Sequence, residues 1–91
     1  MHLLGRNILS NLQKNAAVDK WLTSWICEVV NAHWKNSDQV FKQFPQAQQL
    51  NDNLFLFETK PKMYCIKVQI AFPKGIVLIT ALNKLMENNN E

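Results

Sequence analysis

Between residues 18 and 30 the apolar side chains Val18, Trp21, Leu22, Trp25, Ile26, Val29 and Val30 recur at steps of three and four, with Asp19, Lys20, Ser24 and Glu28 between them. That period predicts an amphipathic helix with one buried stripe, and its two tryptophans read as core rather than as a cofactor box. Upstream, Ile8, Leu9 and Leu12 form a shorter stripe, with Asn7, Asn11 and Gln13 outside it, which predicts a helix from about Arg6 to Asn15. Met1 to Leu4 is read as a short first strand. After the segment HWKN, the Ser37 hydroxyl is expected to cap a short helix with Asp38 and Gln39 in its first turn. Val40, Phe41 and Phe44 make its apolar face, and Pro45 stops it.

The period then changes from helical to alternating. Residues 54–57 (LFLF), 63–72 (MYCIKVQIAF) and 76–82 (IVLITAL) read as strands. In the middle one, Tyr64, Ile66, Val68, Ile70 and Phe72 alternate with Cys65, Lys67, Gln69 and Ala71, so one face is apolar and the other more polar. Pro73, Lys74 and Gly75 supply a tight turn: proline presets the first turn position, and glycine is free to take positive φ. The expected fold class is α+β, with helices on one face of an antiparallel sheet, in a single domain spanning residues 1–91.

Composition changes this picture little. The chain is 47% hydrophobic and 19% charged with only two glycines, the profile of a folded protein. No apolar run reaches the roughly 18 residues that a membrane-spanning helix needs, and polar residues interrupt the N-terminal stretch, so neither a membrane span nor a signal peptide is expected. Cys27 and Cys65 lack metal-type spacing and read as reduced core or strand residues, which points to a cytoplasmic protein with no metal and no cofactor.

Charge adds more. The net charge is only +3, but Lys60, Lys62, Lys67, Lys74 and Lys84 lie between Thr59 and Met86 without one acidic residue. A solvated strand face explains such lysines as readily as a polyanion partner does.

Several stretches then carry a family likeness: MHL at the start, HWKNSDQVFKQFP at 33–45, LFLF at 54–57, and MYCIKVQI and IVLI in register behind them. In order and spacing they resemble the HigB branch of the RelE superfamily, the matching positions being Met1, His2, Leu3, Trp34, Lys35, Val40, Phe44, Pro45 and Phe57. The resemblance implies a RelE-like fold, two N-terminal helices on a three- or four-stranded antiparallel sheet. It also implies an endoribonuclease that cuts messenger RNA, commonly on the ribosome, and a helix-turn-helix antitoxin partner.

The departures fall where that family keeps its chemistry. Glu58, Thr59, Lys60, Pro61 and Lys62 replace its Asn-x-Gly-Gly-Asn turn, and Cys65 and Thr80 replace two arginines. Lys84 and Leu85 stand for its Thr-His pair, and Asn88 for a tyrosine, while Glu87 matches.

Cutting RNA through its own 2′-hydroxyl requires a base, a cation for the phosphate and an acid for the leaving oxygen. Lysines crowded by other cations can supply the first two. Lys67, on the polar sheet face, and Lys84 are therefore the catalytic candidates, with Lys35, Lys60 and Lys62 as RNA-binding contacts. His33, the one mid-chain histidine, is of a type that serves as acid or base, but at the end of the main helix it reads first as a complement to the helix dipole, with His2 as an edge-strand residue and Tyr64 as packing.

Two classes of function follow from the residues. One is a HigB-like toxin whose basic sheet face engages messenger RNA or the ribosome. The other is a catalytically degenerate relative that only binds RNA or a partner protein. A plain interaction module without a nucleic acid role is kept open by the modest net charge.

Overall fold

A computed structural model describes residues 1–85 and, within them, every side chain except those of residues 11–14. The expectations for the side chains of Asn11, Leu12 and Gln13, and those for Glu87 and Asn88, lie outside the described residues. The order of elements is β1 (His2–Leu4), a 3₁₀ helix (Arg6–Lys14), α1 (Ala16–Asn31), α2 (Ser37–Gln43), β2 (Gln48–Gln49), β3 (Leu54–Glu58), β4 (Tyr64–Ala71), a 3₁₀ turn (Phe72–Lys74) and β5 (Ile76–Lys84).

The heptad-like stripe of the sequence becomes α1. Its N-terminus is fixed by Asn15, whose side-chain oxygen accepts from Ala17 N at 3.1 Å and Val18 N at 3.2 Å. Because Asn15 has extended backbone angles, the stretch before it is not continuous with α1, and the helix expected there is a 3₁₀ helix. Val18, Leu22, Trp25 and Val29 are buried, while Trp21 is half-buried and stacked on Trp25 at 6.1 Å between ring centroids. Cys27 is exposed rather than core, since it falls on the far side of α1 from that stripe. The cap of α2 is Asn36, not Ser37: the Asn36 oxygen accepts from Gln39 N at 3.1 Å, and the Ser37 hydroxyl instead accepts from Gln49 Nε2 at 3.0 Å.

The sheet corrects the expected three or four antiparallel strands. It has five, in the order β1-β5-β4-β3-β2, and it is mixed, because β1 runs parallel to β5 while the other neighbours are antiparallel. The parallel pair depends on the close approach of Gly5 to β5. At φ +84°, Gly5 has the Ile79 carbonyl oxygen only 2.6 Å from where a Cβ would stand. The short β2 forms because the chain after α2 turns back on β3, with Leu50 N donating to Leu54 O at 2.8 Å. Two glutamines carry no apolar alternation, so this strand has no signature in the sequence.

The β4–β5 hairpin is as expected, with Gly75 left-handed at φ +65° behind the 3₁₀ turn containing Pro73. A register shift at Lys67/Val68 pairs Lys67 with Ala81 and Val68 with Ile79, which leaves Thr80 as the extra residue of a β-bulge. Phe55, Phe57, Ile66, Val68, Ile70, Val77 and Ile79 are buried in one core with α1, Trp34 and Val40. Trp25 meets Phe57 edge-on at 5.4 Å. Among the described residues, no helix is long and apolar enough to cross a membrane.

Candidate functional site

Register assigns each lysine of the basic C-terminal third to a place. Lys67 lies on the sheet face away from the helices, since it alternates with the buried Ile66 and Val68. Its cross-strand neighbours there are Leu56 and Ala81, and Leu54, Gln69, Leu78 and Leu4 form the next row. That face is therefore mostly aliphatic, with Leu4 at 39% and Leu78 at 38% exposure, and not the polar surface that alternation in β4 alone implied. Lys84 pairs with Tyr64, on the opposite side of the pleat from Lys67, so the two candidate catalytic lysines do not share a face.

Lys60 and Lys62 sit in the β3–β4 loop beside the same end of the sheet as Lys84. Lys62 Nζ lies 3.7 Å from Glu58, an exposed pair of small energetic weight. Lys60 lines a cavity of about 340 Å³ with Trp21, Phe44 and Phe57, where Glu28 and Glu58 offset its charge. The loop is held by Thr59, the one buried polar residue among those described, whose Oγ1 donates to Pro61 O at 2.8 Å and accepts from Tyr64 N at 3.1 Å. Cys65 points to the open face beside Lys67. Burial pushes its thiol up from the ordinary value, the Glu58 charge adds to that, and Lys67 opposes it.

Lys35 lies at the other end of the sheet, beyond the eight residues of β4, whose steps of about 3.4 Å span roughly 24 Å from the first to the last. The structure thus separates Lys35 from Lys60 and Lys62. What it brings to Lys35 is a different set. A shallow cavity of about 450 Å³ is lined by His2, His33, Lys35 and Lys74, with Trp34 and Phe72 among its apolar walls, and none of its described lining residues is acidic.

Hydrogen bonds tie the segments that border this cavity. The Met1 backbone nitrogen donates to Ala32 O at 2.6 Å, which fastens β1 to the loop after α1. His2 N donates to Gly75 O at 2.6 Å, which fastens β1 to the β4–β5 turn. Lys35 N donates to Gln39 Oε1 at 2.7 Å, which holds the loop against α2. A frame with four basic side chains and, among its described lining residues, no carboxylate suits an anion.

His2, His33 and Lys74 were not grouped by sequence reasoning. One local signal was present: His33 and Lys35 flank the buried Trp34 in an extended segment, so both are turned outward together. The approach of His2 and Lys74 depends on the parallel β1–β5 pair and has no local signal. Among the described residues, no group of three or more His, Cys, Asp or Glu side chains is placed to hold a metal ion.

No curated protein matches the chain. The family model described as HigB_toxin, RelE-like toxic component of a toxin-antitoxin system, matches residues 18–84, from the first buried residue of α1 to the end of β5. Two helices on one face of a sheet, in an α+β order, are compatible with a RelE-like fold. With the match covering well over half of its length, the chain belongs to the HigB family of RelE-like toxins from toxin-antitoxin systems.

Proposed function

We propose that this protein is a toxin that cuts messenger RNA, engaging it on the ribosome, and that a cognate helix-turn-helix antitoxin neutralises it. The observation that carries the reading is the family match running through α1, α2 and β3 to β5. A toxin must be restrained in its own cell, hence a partner. Lys67 is the one lysine of β4 on the open sheet face and gives an RNA strand a phosphate contact there, with Lys60, Lys62 and Lys84 as further cations at one end of the sheet and Lys35 at the other.

One observation favours the second reading, a relative that binds RNA or a partner protein without cutting. Around Lys67 the open face is mostly aliphatic, and Lys84 is on the other side of the pleat, so the two candidate catalytic lysines do not work there as a pair.

Purification from the native operon, with expression of the chain alone alongside, tests the first reading. It predicts that a second small protein co-purifies, and that growth slows when the chain is expressed without it. A chain that purifies alone and leaves growth unchanged overturns that reading and leaves the non-cutting one.

A further inference from the structure

We propose that the cavity at the β1 end of the sheet is where this protein holds and cleaves an RNA phosphodiester, with His2 and His33 moving the protons and Lys35 and Lys74 neutralising the phosphate. The proposal rests on the RNA-cutting reading above and adds a site to it. The chain contains two histidines, and both line this one cavity together with two lysines. The residues come from three separate parts of the chain: the start of β1, the loop after α1, and the β4–β5 turn. All four side chains are exposed and accessible to a polymer.

The contrast with the other cavity is one of charge. There Lys60 stands with Glu28 and Glu58, which would repel a phosphate, whereas no described residue lining this cavity is acidic. The hydrogen bonds from Met1 N to Ala32 O and from His2 N to Gly75 O hold the contributing segments before any ligand arrives. Phe72, half-buried at the rim, offers a ring on which a base can stack. By register, His2 pairs with Ile76 and Ile76 with Ala71, four residues along β4 from Lys67, so a strand contacting Lys67 reaches the cavity along the open face.

The chemistry balances without a metal or a co-reactant. One imidazole takes the proton of the 2′-hydroxyl as that oxygen bonds to phosphorus. The bond from phosphorus to the 5′-oxygen breaks, and the other imidazole, protonated beforehand, gives its proton to the departing oxygen. The products are a 2′,3′-cyclic phosphate and a free 5′-hydroxyl, and the two ammonium groups meet the charge that builds on the phosphate.

The test incubates the full chain, with and without ribosomes, with a labelled single-stranded RNA and identifies the product ends by mass spectrometry, while growth on induced expression is followed in parallel. Wild type is expected to slow growth and yield cyclic-phosphate ends. His33→Ala and His2→Ala should each lower cleavage by roughly 10²- to 10⁴-fold while binding the RNA within about twofold of wild type. The Lys35→Ala, Lys74→Ala double variant should weaken RNA binding and reduce its salt slope by about 1.4, two single-strand phosphate contacts. The Lys20→Ala, Lys42→Ala double variant removes the same charge elsewhere and should leave both unchanged.

If wild type slows growth and cuts RNA but the histidine variants cut equally well, the site is overturned and the RNA-cutting reading stands. Growth inhibition with no cleavage overturns the site and the nuclease reading but leaves the toxin. A wild type that neither slows growth nor cuts RNA overturns all three.

Discussion

Trp25 shows how one side chain can stabilise the core and carry a cost in the same place. It is 1% exposed, stacked on Trp21 and edge-on to Phe57, yet its Nε1 finds no hydrogen-bond partner among the described residues. Removing the ring in Trp25→Ala should cost about 3–5 kcal/mol, the loss for a large buried aromatic. In Trp25→Phe, relief of an unpaired buried N–H, worth about 1–3 kcal/mol, offsets much of the lost volume, so that variant should stay within about 1 kcal/mol of wild type in urea unfolding. Equal losses for both variants would mean that the indole nitrogen is satisfied. Cys65 gives a second residue-scale test. Its thiol titrates above the ordinary value in the folded protein, so its contribution to stability is complete at neutral pH. That contribution is lost as the pH rises from the unfolded thiol's range through the folded one. The urea midpoint of wild type should therefore fall more steeply on the alkaline side than that of Cys65→Ala, and parallel slopes would contradict the shift.

At the scale of elements, the parts that announced themselves were those whose own residues decide the conformation. The stripe of α1, the alternation of β4 and the turn at Pro73 to Gly75 are local, and each appears where the sequence places it. Of the two sheet edges, β1 lies where the sequence places a first strand, but its parallel pairing with β5 was not legible, and neither was β2, because a pair of glutamines has no period of its own and is a strand only because a longer one lies beside it. The site divides the same way. His33 and Lys35 share an outward side through the buried Trp34 between them, but nothing near Lys74 announces that His2 will lie close by. Gly5 is the joint on which that convergence turns. Gly5→Ala combines a left-handed backbone penalty of about 1–2 kcal/mol with a Cβ only 2.6 Å from the Ile79 carbonyl oxygen. Gly75→Ala has the penalty alone, with nothing within 4 Å of the new carbon. Thermal unfolding should rank Gly5→Ala well below Gly75→Ala, and similar melting temperatures would show that β1 does not need this close approach.

For the whole molecule, the distribution of charge matters more than its total. A net charge of +3 is a weak attractant, and on the proposed reading RNA is held instead along a track from Lys67 on the open face to the cavity at its end, where no described lining residue is acidic. Lys67→Ala should weaken growth inhibition by the induced chain, while Lys20→Ala, on the exposed side of α1, should leave it as it is. Equal inhibition by both would take RNA off the open face. The most direct test of the account as a whole is to sequence RNA 5′ ends within minutes of inducing the chain in cells without its antitoxin. The account predicts new ends inside coding regions, carrying 5′-hydroxyls, and their absence when antitoxin is co-expressed. Arrested growth with no new RNA ends would contradict it.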